Sequence, residues 1–347
     1  MTALNIGKTR LDDGTPYLIA EAGVNHNGDE ELAHRLVEVG AVSGADAIKF
    51  QLFEPATLVR PETPSAEYQR KVSSNQFDML RRLELPRPAF KELAEHAREQ
   101  GVHFLCTPFS IDAAEFLVED LQVDAVKVSS GDLTFTPLLR YLAGTGLPVL
   151  LSTGMASMTE IERALDDLEG APVILLHCLS QYPAPPEDLN LRAIASLQKL
   201  TDGPVGYSDH AKAITPSLLA AALGATVFEK HFTLDTSMPG PDHAASMAPE
   251  ELNHWVAEIR NTFVLLGDGV KRRMPSELET ASLARRSIVA LVDLPPGTVV
   301  EAKFVTALRP ADGISPQDID LVIGRRTVKA VYEGQPLKWE QLEVTDA

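Results

Sequence analysis

Short apolar runs and amphipathic segments alternate along most of the chain. Eight mostly apolar runs of four to six residues predict β-strands, and the segments between them repeat at helical spacing, as in 158–168 and 189–200. The predicted strands span residues 17–22, 46–51, 103–107, 125–130, 148–153, 173–177, 204–207 and 227–231. Eight such repeats over about 250 residues are typical of a (β/α)8 TIM barrel, an α/β fold. The early repeats are also compatible with a doubly wound open sheet. The sequence, however, has no Gly-rich dinucleotide fingerprint, which favours the closed barrel.

Polar and turn-forming residues bound the predicted helices. The first helix follows a capping segment at 25–29 and runs to about residue 43. Within that segment, Asn-His-Asn-Gly at 25–28 predicts either a cap and turn or a role in a site. A long polar stretch after the second strand predicts a loop to about Pro88, followed by a helix to Gln100. The last barrel helix is predicted over 249–266.

The pattern changes after the last barrel helix and predicts a second, smaller domain. Residues 267–275 break the repeat, and 276–284 predict a helical linker. Short β-like pieces at 287–292, 304–308 and 328–331 then alternate with Pro/Gly turns, which is typical of a small β-rich domain. The expected division is a barrel over 1–268, a linker over 269–284 and the small domain over 285–347.

The charge distribution excludes several kinds of partner. The formal net charge is −18, and residues 285–347 are nearly neutral, so the acidity lies in the barrel. Nucleic acids and anionic membranes recruit basic surfaces, and neither is expected as a partner. No apolar segment has the roughly 18 residues that a membrane span needs, and no signal segment is recognised. Two cysteines, Cys106 and Cys178, make no disulfide framework, which predicts a reduced, cytoplasmic protein.

Every predicted barrel strand ends in residues that form hydrogen bonds or carry charge. The interiors of such barrels are mostly branched and apolar, whereas active sites lie at the carboxyl ends of the strands. Polar side chains at all eight ends therefore predict one site on that face. These residues are Glu21, Lys49, Gln51, Thr107, Lys127, Ser129, Ser130, Ser152, Thr153, His177, Ser208, His210, Glu229 and His231.

Two lysines in this set, Lys49 and Lys127, predict an anion site. Two cations with several hydroxyl groups suit a small, multiply charged anion, such as one that carries a phosphate and a carboxylate. Alternatively the lysines pair with Glu21 and Glu229, and both interpretations can hold because the acids would keep the empty site together. Nucleotide phosphate is not indicated, since the sequence has no Walker-type loop.

His210 and His231 end neighbouring predicted strands and are the metal candidates. Imidazole binds Mn, Fe, Co, Ni or Zn, and two protein ligands leave positions for water and substrate. Asp209, Glu229 and Asp242 are close in sequence and would add carboxylates at the same end of the barrel. A structural zinc site is disfavoured, because no further Cys or His has suitable spacing.

The segments at the strand ends resemble those of the sialic acid (N-acetylneuraminate) synthase family. The matching barrel segments are IAEAGVNHNG (19–28), AIKFQ (47–51), STGM (152–155), GYSDH (206–210), FEKH (228–231) and GPD (240–242), with Lys127, Ser130, Gly131, Tyr182 and Pro183. In the tail, RRSIVA (285–290) and RPADGI (309–314) resemble the antifreeze-like (SAF) domain that ends such synthases. The resemblance therefore spans both predicted domains.

The resemblance implies condensation of phosphoenolpyruvate (PEP) with an N-acetylated amino-hexose such as N-acetylmannosamine, giving a nine-carbon keto acid and phosphate. It implies that PEP is held by Lys49, Thr107, Lys127, Ser130, Ser152, Ser180 and Ser208. It implies a divalent metal, Mn or Mg, on His210 and His231. It implies sugar contacts from Glu21, Gln51, Tyr182, Asp242 and Arg309, with Glu21, Asp132 and Glu229 as candidates for moving protons. Arg309 would come from the partner subunit, because the family forms domain-swapped homodimers.

Two positions depart from the family pattern, and several alternatives stay open. Ser180 stands where many relatives have Asn, and Asp132 where relatives have Glu. Legionaminic, pseudaminic and spore-coat sugar synthases share the PEP chemistry and differ in the acceptor pocket. A deoxy-heptulosonate or deoxy-octulosonate phosphate synthase would also use PEP and have a barrel of this kind, but the SAF-like C-terminal domain would then be unexplained. A non-catalytic sugar-binding protein would be expected to have lost lysines or histidines at the strand ends.

Overall fold

The computed structural model describes residues 4–11, 14–66, 70 and 72–343. The chain divides into two compact units, Met1–Gly267 and Asp268–Ala347. The last four residues of the predicted C-terminal domain, 344–347, lie outside the described residues. Each unit has a hydrophobic core of its own.

The first unit is built around eight parallel strands. They are β1 (Tyr17–Gly23), β2 (Ala47–Leu52), β3 (His103–Pro108), β4 (Val126–Val128), β5 (Val149–Ser152), β6 (Val173–Cys178), β7 (Val205–Asp209) and β8 (Val227–His231). Hydrogen-bonded neighbours follow the order β3-β2-β1-β8-β7-β6-β5-β4, so the last strand pairs with the first. β3 and β4 lie side by side at the remaining seam. The predicted TIM barrel is confirmed.

Helices connect the strands. They are α1 (Glu30–Val42), α2 (Pro55–Leu58), α3 (Gln76–Leu83), α4 (Arg87–Glu99), α5 (Ile111–Glu115), α6 (Thr136–Ala143), α7 (Met158–Asp167), α8 (Ile194–Leu197), α9 (Thr215–Ala222) and α10 (Pro249–Leu266). Asp29 caps α1 by accepting a hydrogen bond from the Leu32 amide. The Asn25 amide instead donates to the Phe232 carbonyl and to Ser246, so it ties the β1 turn to the chain after β8. In the described part of the chain, no helix is long and apolar enough to cross a membrane.

Side chains alternate between the barrel interior and the helix layer, and this alternation positions the site. The lower interior is apolar, with Tyr17 and Ile19 of β1 in a buried cluster. A hairpin of Asn5–Ile6 and Thr9–Arg10 covers this end, since Ile6 belongs to the same cluster. The outward faces of the strands pack against the helices in a larger cluster. Polar side chains therefore gather at the upper, carboxyl end of the barrel.

The predicted long loop after β2 is wrong, because this stretch contains α2 and α3. The Asn75 side chain caps α3 by accepting a hydrogen bond from a backbone amide of the first turn. The apolar residues of α3 are Met79, Leu80 and Leu83, which are buried with Phe53 in a small separate core. Eight residues give barely two helical turns, too few for the periodicity to stand out from the polar residues around them.

The predicted helix over 189–200 is shorter than expected. Asn190 adopts a left-handed backbone conformation with φ of 42°, and a 3-10 turn follows over Leu191–Ala193. A left-handed residue interrupts the right-handed α-helical path. The α-helix α8 consequently covers only Ile194–Leu197.

The second unit is a small β-rich domain. Its elements are a 3-10 turn (Pro275–Glu277), α11 (Leu278–Ala284), the antiparallel pair β9 (Ser287–Ala290) and β10 (Val305–Leu308), and α12 (Ile319–Val322). The predicted strand over 328–331 is not formed, and Val331 instead makes an isolated bridge with Leu294. Ile288, Val300 and Leu337 belong to the buried core of this unit.

Candidate active site

A cavity of about 450 Å³ opens at the carboxyl ends of the barrel strands. This volume lies in the range of small-molecule sites. Its lining includes Glu21, Lys49, Gln51, Thr107, Lys127, Ser130, Ser152, Ser180, Tyr182, Ser208, His210, Glu229, His231 and Asp242. Of the site residues predicted in the barrel, Asp132, Thr153, His177 and Asp209 do not line this cavity, and the others meet there.

The floor of the cavity is a network of four buried charges. The Lys49 ammonium lies 2.8 Å from a Glu21 carboxylate oxygen and 3.7 Å from Glu229, and the Lys127 ammonium lies 3.5 Å from Glu229. Glu21 and Lys49 meet because they are register partners on β1 and β2. The lysines are thus paired with the two acids, as the alternative interpretation of the sequence predicted.

Burial and pairing act against each other on these charges. Burial by itself disfavours ionisation of Glu229, but Lys127 and Lys49 outweigh it and hold the pKa of Glu229 down to about 2. Burial likewise opposes the charge on Lys49, yet Glu21 and Glu229 raise its pKa. Burial lowers the pKa of Lys127, and Glu229 only partly offsets this effect. Lys127 is therefore the less compensated cation, and a bound anion would stabilise its charge.

A row of hydroxyl groups lies beside the lysines. Thr107 Oγ1 accepts a hydrogen bond from Lys49 at 3.1 Å, and Ser208 Oγ donates to Glu229 at 2.8 Å. The buried Ser152 hydroxyl has no hydrogen-bond partner in the described chain. A buried polar group left without a partner costs about 1–3 kcal/mol. A ligand that bonded to Ser152 would remove this cost.

Gly154 allows the backbone to approach the hydroxyl row closely. Its amide donates to the Ser130 hydroxyl oxygen at 3.0 Å. A Cβ atom at this position would overlap the hydroxyl groups of both Ser180 and Ser130. The sequence alone did not identify Gly154 as part of the site, although it stands in the STGM segment directly after the β5 tip.

His210 and His231 end adjacent strands, with ring centroids 5.4 Å apart. His210 Nδ1 lies 2.7 Å from the Leu179 carbonyl oxygen, so Nδ1 carries a proton and donates to it, and Nε2 is the nitrogen left to bind a metal ion. Histidines that bind metals usually donate their other ring N–H in this way. Burial lowers the pKa of His231 well below its usual value, so this imidazole is neutral.

These side chains suit a divalent metal ion that takes only part of its ligands from the protein. His231 Nδ1 is buried and has no hydrogen-bond partner among the described residues, and it lies 4.0 Å from Asp242 Oδ2. A metal ion would satisfy this nitrogen. Across residues 4–11, 14–66, 70 and 72–343, no group of three or more His, Cys, Asp or Glu side chains is arranged to hold a metal. Water or substrate would have to supply the remaining ligands.

Tyr182 and Asp242 line the cavity next to the two imidazoles. The Tyr182 ring lies 4.0 Å from the His210 ring and edge-on to His231 at 5.5 Å. Burial, reinforced by the nearby Glu21, raises the pKa of Asp242 to about 6. This part of the cavity combines an aromatic face with a carboxyl group, which suits a polyhydroxylated ligand.

Strand alternation removes two predicted residues from the site. His177 lies on the outer face of β6, where it bonds to the Leu189 carbonyl and its ring stacks on Tyr207. Asp209 lies on the outer face of β7, so the expectation that it joins the metal site is wrong. Both errors have one cause, because neighbouring residues of a strand point to opposite faces.

Asp132 also lies outside the cavity lining. Asp132 ends the 3-10 turn Ser130–Asp132 and accepts a hydrogen bond from Ser129 at 2.6 Å. Burial raises the pKa of Asp132, although this hydrogen bond opposes the shift. Arg309 belongs to the second unit, where it is exposed just after β10.

A second charged network lies on the outer faces of β7 and β8, and we call it the outer network. Lys230 lies 2.9 Å from Asp209, and both side chains are almost inaccessible to solvent. Asp209 also accepts hydrogen bonds from Ser217 Oγ at 2.6 Å and from the Ala211 amide at 2.8 Å. Ser217 Oγ in turn accepts from the Trp255 indole at 2.9 Å. The groups of the outer network bond to one another, and the network leaves no role for a ligand.

Sequence reasoning also missed an apolar side of the cavity, which we call the apolar wall. Its residues are Val24, Phe53, Met79, Leu80, Leu83 and Phe109. A signal was present at two positions, because Phe53 follows Gln51 by two residues and Phe109 follows Thr107 by two. Residues two apart on a strand share a face.

Comparisons with known proteins agree with this arrangement. The chain matches the NeuB family over residues 36–271 and the SAF domain over residues 285–343. It is 42% identical over 346 residues to the N,N'-diacetyllegionaminic acid synthase of Legionella pneumophila, with 97% of each chain covered. It is 35% identical over 337 residues to the human N-acetylneuraminate-9-phosphate synthase, with 94% of this chain and 92% of that protein covered.

A solved structure supports the same assignment. The crystal structure of N-acetylneuraminic acid (sialic acid) synthetase from Leptospira borgpetersenii in complex with citrate has a TM-score of 0.71 at 34% identity, covering 80% of this chain and 94% of that chain. The relatives match nearly the full length of the chain, and the family match covers most of the barrel. The chain therefore belongs to the NeuB family and ends in a SAF domain.

Proposed function

We propose that this protein is a nonulosonic (sialic) acid synthase, which condenses PEP with an N-acetylated amino-hexose and releases phosphate. The observation that carries the proposal is the meeting of two buried lysines, a hydroxyl group without a partner and a pair of imidazoles in one cavity. The names of the relatives support it, since they are a legionaminic acid synthase, an N-acetylneuraminate-9-phosphate synthase and a sialic acid synthetase.

PEP would occupy the lysine side of the cavity. Its phosphate and carboxylate would be met by Lys49 and Lys127, and the charge of Lys127 would gain most, because burial disfavours that charge in the free protein. The hydroxyl donors would be Thr107, Ser130, Ser152, Ser180 and Ser208. Charge-assisted hydrogen bonds of this kind are about twice as strong as neutral ones.

A divalent cation, Mn or Mg, would be held by His210 and His231. When bound, it would polarise the aldehyde oxygen of the acceptor as a Lewis acid. The Leu179 carbonyl and the Tyr182 ring hold the His210 ring in one orientation. This positioning keeps the lone pair of Nε2 available for a ligand bond.

The reaction forms one C–C bond and breaks one C–O bond. The methylene carbon of PEP attacks the aldehyde carbon, and the aldehyde oxygen takes up a proton to become a hydroxyl group. Water adds to the cationic C2 and loses one proton, which leaves a hydroxyl group on C2. The bond from C2 to the phosphate oxygen then breaks while this hydroxyl group gives its proton to the departing phosphate, which leaves a keto group and inorganic phosphate. Lys49 and Lys127 stabilise the anionic groups throughout.

Glu21 is the best placed of the three candidate acids to move a proton. It lines the cavity, and burial raises its pKa against the opposing effect of Lys49. A raised pKa favours the protonated form of Glu21, which suits a role in proton transfer. Glu229 stays ionised beside the two lysines and suits electrostatic support instead. Asp132 does not line the cavity, which argues against a direct role.

The acceptor would be bound by Gln51, Tyr182 and Asp242, with Arg309 of the partner subunit completing the site in a domain-swapped homodimer. Mixing an Arg309→Ala chain with a His231→Ala chain tests this arrangement. Heterodimers should regain part of the lost activity, because one site in each would be intact. Lack of rescue after verified subunit exchange would contradict the swap.

The proposed setting is the reducing cytoplasm, without nucleic-acid or membrane partners. Cys106 and Cys178 are both buried free thiols, which supports a reducing compartment. The net charge of −18 supports the absence of polyanionic partners.

The direct test is to incubate metal-supplied protein with PEP and a panel of N-acetylated hexosamines, and to measure phosphate release and keto-acid formation together. We expect the two products to appear in equal amounts. Turnover only with an aldose phosphate that lacks an acetamido group would favour a deoxy-sugar-acid phosphate synthase instead. Absence of both products with every acceptor would contradict an enzymatic role.

A further inference from the structure

The Asn-His-Asn-Gly turn at 25–28, for which the sequence allowed either a cap or a site role, is bonded to the loop at 233–247, which we call the β8 loop. The turn follows β1 and the loop follows β8, and these two strands are hydrogen-bonded neighbours. The Thr233 amide donates to the Met247 carbonyl and the Met247 amide to the His231 carbonyl, both at 2.9 Å. These backbone bonds close the base of the β8 loop, and the turn contacts the loop above its base.

One link runs from Asn25 to the backbone of Asp242. The Asn25 amide donates to the Ser246 hydroxyl oxygen at 2.9 Å, and this hydroxyl group donates to the Asp242 carbonyl oxygen at 2.8 Å. Asn25 and Ser246 are 1% and 7% exposed, so water competes little for these bonds. The link therefore holds the β8 loop at the residue whose side chain lines the cavity.

A second link runs through the buried His243 ring, next to Asp242 in sequence. His243 Nδ1 lies 2.6 Å from Thr233 Oγ1, and Nε2 lies 3.2 Å from Asn27 Oδ1. The Asn27 amide oxygen can only accept, so Nε2 donates to it. Gly240 allows this approach, because a Cβ atom there would overlap both the His243 ring and Asn27 Oδ1. The ring is thus held on both sides, by the base of the loop and by the turn.

We propose that the two links position Asp242 toward the acceptor, so that the turn after β1 acts in the reaction without touching the substrate. The positioning residues are Asn25, Asn27, His243 and Ser246. The inference rests on the proposed function, in which Asp242 contacts the acceptor sugar. Asp242 Oδ2 lies 4.0 Å from His231 Nδ1, too far for a hydrogen bond, so this neighbour does not hold the carboxyl group. A site group must be held within about 0.5 Å of its productive position by the residues behind it, and the two links provide that support.

The first test compares Asn27→Gly with Asn27→Asp. Asn27 has φ of 53°, a conformation that glycine adopts freely, so Asn27→Gly keeps the turn and removes only the acceptor of the His243 bond. Asn27→Asp retains an acceptor oxygen. We expect KM for the acceptor sugar to rise about tenfold in Asn27→Gly and less than about threefold in Asn27→Asp, because about one hydrogen bond to the sugar is at stake. Equal acceptor KM values in the two variants would contradict the second link.

The second test compares Ser246→Ala with Ser237→Ala. Ser237 is the matched control, because it is exposed in the same loop and donates to Asp235 at 2.7 Å, away from the turn. We expect Ser246→Ala to raise KM for the acceptor about tenfold and Ser237→Ala to leave it unchanged, with KM for PEP altered less than about twofold in both. Loss of fold alone would lower the active fraction without separating the two KM values. An equal effect in Ser237→Ala, or a parallel rise in both KM values, would contradict the first link.

A double-variant cycle shows whether the links act through Asp242. Adding Ser246→Ala to Asp242→Ala should raise KM for the acceptor no further, because the carboxyl group that the link positions is already absent. Where Asp242→Ala abolishes turnover, Kd for the acceptor, measured by calorimetry without PEP, gives the same comparison. Additive effects of the two substitutions would overturn the inference.

The outcomes separate this inference from the proposed function. The acceptor is N-acetylmannosamine or the sugar that the acceptor panel identifies. If no sugar yields both phosphate and a keto acid from PEP with the unaltered protein, the proposed function fails and the inference falls with it. If a sugar is converted but the variants change its KM no more than they change KM for PEP, the proposed function stands and only the positioning is lost.

Discussion

Strands β7 and β8 carry charged networks on both faces, and the two networks differ in their ion-pair distances and hydrogen bonding. On the inner face, Glu229 is shared by Lys49 and Lys127 at 3.7 Å and 3.5 Å, distances too long for strong hydrogen bonds. On the outer face, Lys230 lies 2.9 Å from Asp209. Hydrogen bonds from neighbouring groups complete the coordination of the Asp209 carboxylate.

The difference shows how a barrel divides polar groups between stability and function. A buried ion pair contributes to stability only when its remaining hydrogen bonds are satisfied, and the outer network meets that condition. Among the described residues, the Ser152 hydroxyl and His231 Nδ1 on the inner face have no hydrogen-bond partner, which costs stability and favours the binding of a ligand. The inner face is therefore the functional one, although both faces carry the same kinds of side chain.

Metal removal should give the largest difference between the two networks. Protein stripped with a chelator should lose activity by roughly 10³-fold or more, because Lewis-acid assistance supplies several kcal/mol. Its fold should persist, since the outer network needs no metal. Phosphate release measures activity, circular dichroism measures the fold, and titration of Mn²⁺ by electron paramagnetic resonance measures binding. Full activity of verified metal-free protein would contradict the role of the two histidines.

Lys230→Met should cause the largest loss of stability. It leaves the Asp209 carboxylate buried without its cation, and breaking a buried pair from one side costs about 3–5 kcal/mol. Urea denaturation measures the free energy of unfolding. KM for PEP should stay close to that of the unaltered protein, because Lys230 faces away from the cavity.

The double variant Asp209→Asn, Lys230→Met provides the control. Removing both charges should restore part of the stability lost in Lys230→Met, because no unpaired charge is left. A double variant as unstable as the sum of its two single variants would show that pairing between the two residues is not the cause.

Lys127→Met should mainly reduce catalysis. Removing one charge-stabilising donor from an active site costs about 10²- to 10³-fold in kcat/KM. The loss of stability should be smaller than in Lys230→Met, because Glu229 keeps Lys49 and the Ser208 hydroxyl as partners. Steady-state kinetics with varied PEP and urea denaturation measure the two effects, and a variant that lost stability but kept kcat/KM would reverse the comparison.

A pair of serine variants gives the smallest expected effects and the sharpest contrast. Ser152→Ala should weaken PEP binding about tenfold without loss of stability, because its hydroxyl has no partner in the described chain. Ser217→Ala should leave PEP kinetics unchanged and cost about 1–3 kcal/mol of stability, because it leaves the Trp255 indole N–H without its acceptor and removes a hydrogen bond to Asp209. Thermal denaturation and PEP titration would separate the two, and opposite results would refute the division.

Strand order and the end of the barrel that carries the site were predictable from sequence, because both follow from hydrophobic periodicity and from where polar residues interrupt it. The meeting of His210 with His231 and of Lys49 with Glu21 required only that parallel strands open on the same face. The errors at His177 and Asp209 came from treating every polar residue at a strand end as facing inward, whereas alternate residues face the helices.

The apolar wall could not be predicted from the sequence, for a different reason. α3 spans only Gln76–Leu83, and its apolar residues look like those of any short core helix. Their place in the cavity depends on the path of the chain between β2 and α4, which local pattern does not determine. Distances within the charged floor were equally inaccessible, because they depend on how neighbouring strands stagger.

The row formed by Lys49, Gln51 and Phe53 has a consequence for how such a protein can change. Because strand residues alternate, inserting or deleting one residue in β2 ahead of Lys49 would turn all three away together and bring Ile48, Phe50 and Leu52 into the cavity. A substitution changes the floor cation, the Gln51 amide or the Phe53 ring alone, whereas a change of length ahead of Lys49 removes all three at once.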